Sequence, residues 1–162
     1  MNSYFKQQNL DILEDYFHNG CKLNCIQKLG MEIEHIIVHK ESRKAVTYYE
    51  DHGIGWMLAQ LKPYYPHFTY EKDNLLGLSN ADYSISLEPA AQFEISIAPR
   101  EDIRTIMRIY RSFLNRIQPI LDQEGYELWN IGYQPESHVD DLPLIPKKRY
   151  RYMDQYFRTS GT

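Results

Sequence analysis

From Leu87 the chain reads Leu-Glu-Pro-Ala-Ala-Gln-Phe-Glu-Ile-Ser-Ile, and the alternation that closes this run leaves little choice of local structure. Successive side chains of a strand point to opposite faces, so Phe93, Ile95 and Ile97 belong to an apolar face while Gln92 and Glu94 stand on the other. A second segment, Leu29-Gly30-Met31-Glu32-Ile33-Glu34-His35-Ile36-Ile37-Val38, has the same character. In a strand Glu32 and Glu34 share one side, about 6 to 7 Å apart along the backbone. The β-branched run Ile36-Ile37-Val38 suits a pleated surface better than a helix. Glu88 precedes an interruption at Pro89-Ala90-Ala91, a tight turn or a bulge, and can share the face of Glu94. Carboxylates seldom occur in such sequence unless paired or bound to a cation, because desolvating the charge is costly. Like charges this close repel unless a cation neutralises them, and all-oxygen donors select magnesium or manganese over zinc. The competing reading of any one glutamate is the solvated face of an edge strand. Two clusters beside buried-type sequence favour a cation site.

The remaining pattern predicts one α+β unit built on a curved, largely antiparallel sheet with packed helices. Residues 4–28 read as helix, with Leu10, Leu13, Tyr16 and Phe17 at helical spacing and Asn19-Gly20 as a stop. Residues 45–49 suit a partner strand for 29–38. Gly53 to Leu61 suits a short helix ended by Pro63, and 68–78 a hairpin turning at Glu71-Lys72-Asp73-Asn74. Residues 83–97 follow as interrupted strand. The clearest helix spans 100–124, where Ile103, Ile106, Met107, Tyr110, Phe113, Leu114, Ile117, Ile120 and Leu121 form one apolar stripe. Glu101 and Asp102 suit its first turn, Pro119 predicts a kink and Gly125 an end. Residues 127–133 read as a final strand. Tyr150 to Phe157 is aromatic-rich and is expected to pack on something. Since the chain stops soon afterwards, it reads as the N-terminal part of a longer single domain, 1–162.

Composition bounds the function. The chain has 162 residues, enough for one domain with a real core, and a formal net charge of −4. That charge argues against general nucleic-acid binding, which needs an excess of Lys and Arg. No apolar run suits a membrane span, the first residues lack the apolar stretch of a secretory signal, and two cysteines make no disulfide framework. The expectation is a reduced, cytoplasmic protein.

Several further motifs carry candidate chemistry. Ile145-Pro146-Lys147-Lys148-Arg149-Tyr150-Arg151-Tyr152 concentrates four positive charges among aromatics. It reads as a solvated loop, a localisation or RNA-binding patch, or an Arg placed to bind phosphate or carboxylate bidentately. The last suits the acidic clusters best. His35 and His39 have zincin spacing, but Ile36 replaces the required Glu and the segment reads as strand. Cys21 and Cys25 read as a reduced pair near a helix end. Gly53-Ile54-Gly55 lacks the rest of a dinucleotide fingerprint, and no P-loop is present.

In order, Gly30 with Glu32 and Glu34, then Ser-Ile-Ser-Leu-Glu-Pro-x-x-Gln-Phe-Glu-Ile-Ser over Ser84–Ser96, Ala98-Pro99, a long helix and Pro-Lys-x-Arg-Tyr over Pro146–Tyr150 make a specific combination. It resembles the plant- and proteobacterial-type glutamate–cysteine ligases. The resemblance implies a glutamine-synthetase-like carboxylate–amine ligase fold, here incomplete. It also implies ATP-dependent joining of L-glutamate through its γ-carboxylate to L-cysteine, by way of a γ-glutamyl phosphate, in glutathione biosynthesis. It implies Glu32, Glu34, Glu88 and Glu94 as ligands of magnesium (or manganese), and Gln92, Arg149 and Tyr150 as substrate or nucleotide contacts. Arg149 would also be the catalytic cation. The resemblance implies relatives over twice this length, so the piece alone would be inactive. Ala90-Ala91 and Lys148 stand where the family usually has glycines, which restricts a turn glycine makes easily. A related ligase with another amine acceptor, or a silent nucleotide- and metal-binding module, are the alternatives.

Overall fold

A computed structural model describes residues 3–21 and 25–160. Six strands, β1 (Leu29–His39), β2 (His67–Glu71), β3 (Asn74–Ser79), β4 (Tyr83–Leu87), β5 (Phe93–Arg100) and β6 (Tyr126–Trp129), form one sheet in the order β2-β3-β4-β5-β1-β6. Every pairing is antiparallel. Four helices accompany it: α1 (Ser3–Gly20), α2 (Ile54–Leu61), α3 (Ile103–Glu124) and α4 (Lys148–Ser160). The α+β architecture is therefore as the residue pattern predicts. Gly77 lets β3 run close to β4, since a Cβ there would sit 2.7 Å from the Ile85 carbonyl oxygen.

One sheet face carries the core. Ile85, Leu87, Phe93, Ile95 and Ile97 pack with Ile54, Met57, Leu58 and Leu61 of α2 and with Ile106, Phe113, Ile117 and Leu121 of α3. Burial of this apolar surface is what holds the helices to the sheet. Asp102 starts α3 by accepting the Thr105 N–H at 2.8 Å, and Gly125 ends it in the left-handed region at φ 69°. The helix runs through Pro119. Its buried stripe is narrower than the spacing predicts: Ile103 and Met107 lie at the exposed edge.

Other expectations are corrected. The first helix ends at Gly20, and 25–28 are not helical; residues 22–24 fall outside the described part. Leu10, Leu13, Tyr16 and Phe17 are exposed. Residues 45–49 form a single bridge, Ala45 to Val38, because the Glu50 carboxylate takes the Thr47 N–H and turns the chain toward α2. The strand expected over 127–133 stops at Trp129. The basic-aromatic run opens helix α4 rather than a loop. The Glu71 side chain accepts the Lys148 N–H at 2.8 Å, satisfying an amide that the first turn of a helix leaves unpaired. Of the Tyr150–Phe157 aromatics only Tyr150 is buried.

His35 lies wholly in the core, its Nε2 2.6 Å from the Tyr110 hydroxyl. Burial pushes the imidazole below its ordinary 6.5, with backbone groups of Phe93 and Ile33 offsetting only part of the effect. Unfolding frees the ring to take up a proton, so below pH 6.5 the unfolded chain binds more protons than the folded one. Stability therefore falls as pH drops below that value, by at most about 1.4 kcal/mol per pH unit, until the folded imidazole also titrates. His35→Phe is expected to flatten this loss, as urea-unfolding midpoints measured at neutral pH and near pH 5 would reveal. An unchanged slope would assign the acid sensitivity elsewhere.

Candidate active site on the polar sheet face

The face opposite the core is built from hydroxyls and carboxylates. Glu94 on β5 stands between Ser86 on β4 and Glu34 on β1, and Ser96 stands between Ser84 and Glu32. Directly opposed residues of an antiparallel pair share a face with Cα atoms about 5 Å apart. Glu34 and Glu94 are thus neighbours, and Glu32 lies one same-face position further along β1. The Ser86 and Ser96 hydroxyls both donate to Glu94 Oε1, at 3.0 and 3.1 Å. These bonds hold one carboxylate oxygen and leave Oε2 directed elsewhere. Glu94 is half-buried, whereas Glu32 and Glu34 are exposed.

The interruption at 88–92 is a tight turn. The Glu88 N–H donates to the Gln92 carbonyl at 3.0 Å, and the Ala91 N–H to the Glu88 carbonyl at 2.9 Å. Gln92 Oε1 accepts the Ala90 N–H at 3.0 Å, so this side chain braces the turn. Ala91 has φ 70° and is buried. Three-residue hairpin loops commonly finish in this left-handed conformation, which glycine adopts freely and a Cβ resists. Ala91→Gly is expected to change stability by no more than about 1 kcal/mol, strain relief opposing lost burial and a freer unfolded chain. Ala91→Val, β-branched at positive φ, is expected to cost about 2 kcal/mol or more. Paired denaturant titrations check both; equal losses would contradict the strain argument.

The start of α4 covers this turn. The Ile145 N–H donates to the Pro89 carbonyl at 2.9 Å. The buried Tyr150 hydroxyl reaches the Leu87 carbonyl at 3.2 Å and Glu88 Oε1 at 3.4 Å. Arg149 Nη2 donates to that hydroxyl at 3.0 Å, and its guanidinium lies 4.9 Å from the Tyr150 ring centroid. Arg149 is otherwise exposed. Residues separated by 58 positions, Gln92 and Tyr150, thus flank one turn.

The four predicted metal ligands therefore fall along a line rather than in one hollow. Glu88 stands at the turn with Arg149 and Tyr150, Glu34 and Glu94 pair in the middle, and Glu32 lies beyond. From Gln92 to Ser96, the partner of Glu32, the span is about 13 Å. Among the described residues no three His, Cys, Asp or Glu side chains gather around a single point. The oxygen-only donors on neighbouring strands nevertheless fit a hard cation at Glu34–Glu94, where two carboxylates face each other with no cationic partner among the described residues. Ser86 and Ser96 are functional candidates that the acidic pattern alone does not single out. Their signal was the same-face spacing of Ser-Ile-Ser and Glu-Ile-Ser. Glu71, which anchors α4, carried no local signal.

A hollow of about 590 Å³ touches Glu32, Ser84 and Ser96. A larger one, about 890 Å³, lies instead at the far end of β1 around His39, Glu50 and Glu124. Two of the four carboxylates in its walls are already engaged, Glu50 with His39 at 3.0 Å and Glu124 with His52 at 2.7 Å, and Lys40 and Lys44 line it beside Glu41 and Asp141. Size therefore does not outweigh the donor chemistry of the polar face. His35 and His39 belong to a strand, with His35 in the core, and Cys21 and Cys25 are both exposed.

Comparison with known proteins adds the family. Glutamate–cysteine ligases named as chloroplastic from Medicago truncatula and Arabidopsis thaliana are each 30% identical to this chain, over 93% and 91% of its length. Glutamate–cysteine ligase A of rice, also named chloroplastic, is 30% identical over 91%. The chain spans less than a third of the length of these relatives, 29%, 28% and 30%. Their compartment overturns the cytoplasmic expectation: absence of an N-terminal apolar stretch carries no information about plastids, whose transit peptides are amphipathic. The model of glutamate-cysteine ligase family 2 matches residues 28–162, which include both acidic strands, the turn and the start of α4. The chain belongs to glutamate-cysteine ligase family 2.

Proposed function

We propose that this chain forms the N-terminal part of a single catalytic domain that joins the γ-carboxylate of L-glutamate to the amine of L-cysteine at the expense of ATP. The observation that carries the reading is the cross-strand pair Glu34–Glu94 on an open polar face, with Glu94 held by two serine hydroxyls. A carboxylate resists amine attack until its oxygen becomes a good leaving group, and phosphorylation to the γ-glutamyl phosphate achieves this. The obstacle is bringing two anions together. Glu34 and Glu94, with Glu32 and Glu88 to either side, would hold magnesium or manganese. Such an ion supplies neutralisation of phosphate charge. Arg149 places a guanidinium beside the same turn, suited to the charge developing on transferring phosphate oxygens. Tyr150 fixes that arginine, and Gln92 keeps the turn in shape.

The test uses the complete protein, including the sequence its relatives carry beyond this span. ADP release with magnesium is expected to require glutamate and cysteine together. Equal release with other amines would establish a different acceptor. No release, with no nucleotide binding by calorimetry, would make the chain a silent scaffold.

A further inference from the structure

The helix-covered side of the sheet carries an unusual concentration of charge. Residues 103–121 contain four arginines and no acidic residue, in a chain whose net charge is −4. The side chains of Arg104, Arg108 and Arg111 are exposed and make no hydrogen bond or close ion pair among the described residues, Arg108 feeling only the charge of Asp102. An exposed arginine stripe alone would be a solvated face. Arg116 makes the difference. It is half-buried, with its guanidinium carbon 5.9 and 5.8 Å from the Tyr64 and Tyr65 ring centroids. Its Nη1 donates to the Tyr83 hydroxyl at 2.9 Å, and that hydroxyl meets the Tyr65 hydroxyl at 2.6 Å. Both tyrosines are 4% exposed. Three rings thus set this cation in one orientation, and no carboxylate partners it among the described residues.

Two hollows, of about 320 and 730 Å³, share Arg108, Ser112 and Arg116 in their walls. Arg100, Thr105 and the Asp82 carboxylate also line the smaller one. The nearby acids are occupied: Asp82 pairs with Arg100 at 2.8 Å, and Asp102 caps α3. Fixed guanidinium donors beside hydroxyls match a compact tetrahedral oxyanion, which arginine binds bidentately. A third hollow of about 390 Å³, between Trp56, Tyr64 and Arg116, adjoins the same guanidinium with aromatic walls.

We propose that the cleft formed by Arg108, Ser112 and Arg116 is a second, non-catalytic site that binds phosphate, free or as a phosphomonoester. It lies across the sheet from Glu94 and does not depend on the ligase reading. The confined hollow of about 320 Å³ favours a small anion over a polyanion.

The experiment is a titration of the complete chain, labelled at arginine, with inorganic phosphate while sodium chloride holds ionic strength constant. Side-chain Nε–Hε resonances of Arg108 and Arg116 are expected to shift saturably. Arg108→Gln, at an exposed side chain that makes no hydrogen bond, is expected to weaken binding about tenfold or more, the scale of one charge-assisted hydrogen bond. Arg116→Lys, which keeps the charge, should weaken it by losing the fork. Arg149→Gln should leave these shifts intact, which separates this site from phosphate held on the polar face. Phenyl phosphate binding more tightly than inorganic phosphate identifies an ester whose organic part uses the aromatic hollow; equal binding identifies free phosphate. Shifts that never saturate, or saturable binding unchanged in Arg108→Gln or abolished only in Arg149→Gln, overturn the proposal.

Discussion

Glu94→Gln in the complete protein is expected to reduce ATP-dependent turnover by about a hundredfold or more, since loss of residues merely supporting a metal ligand already costs 10–100-fold. The substitution keeps shape and an acceptor oxygen for Ser86 and Ser96, so the strand and its hydroxyl contacts survive. What disappears is one negative charge at the Glu34–Glu94 pair. The residual activity should need more magnesium for half-saturation, while the thermal midpoint stays near that of the parent. Normal turnover at every magnesium concentration would remove Glu94 from the proposed cation site. A large drop in the thermal midpoint would show that the charge serves the fold instead. Measuring both quantities separates the outcomes.

Phe93→Ala tests the other side of the same strand. Phe93 is 0% exposed and lies in register with His35 on β1 and Leu87 on β4. Truncation leaves a cavity that β5 cannot close while paired on both sides, so the expected cost is about 3–5 kcal/mol. Domains of this size have roughly 5–15 kcal/mol in total, so the variant should be near the limit of folding. Urea unfolding followed by circular dichroism checks this. A loss under about 1 kcal/mol would mean that the core relaxes around the gap, which the central position of β5 in the sheet argues against.

The legible parts of the fold were those whose signal repeats locally. Strand β5 and helix α3 followed from periodicity, and Gly125 marked a helix end that the left-handed backbone explains. Residues 45–49 misled because the side chain of Glu50 competes for a backbone amide that strand pairing would use. Helix α4 was missed because its first turn depends on Glu71, 77 positions earlier, and on a tyrosine buried against β4. The aromatic content of that segment suggested burial, yet Tyr152, Tyr156 and Phe157 are exposed.

By itself, the sequence determined which side chains share a face, because alternation is a property of each strand's own backbone. It therefore separated Glu32, Glu34, Gln92 and Glu94 from the core, and the ordered motifs identified the family. Only the tertiary structure decided who stands beside whom. Strand β1 pairs with β5 and β6, each more than fifty positions away in sequence, and that register sets Glu34 against Glu94 and leaves Glu32 further along. The same assembly drew Glu88 to Tyr150 and turned Arg116 into a fixed cation between tyrosines. Cross-strand partners depend on how a whole sheet closes over its helices, and no local period encodes that closure.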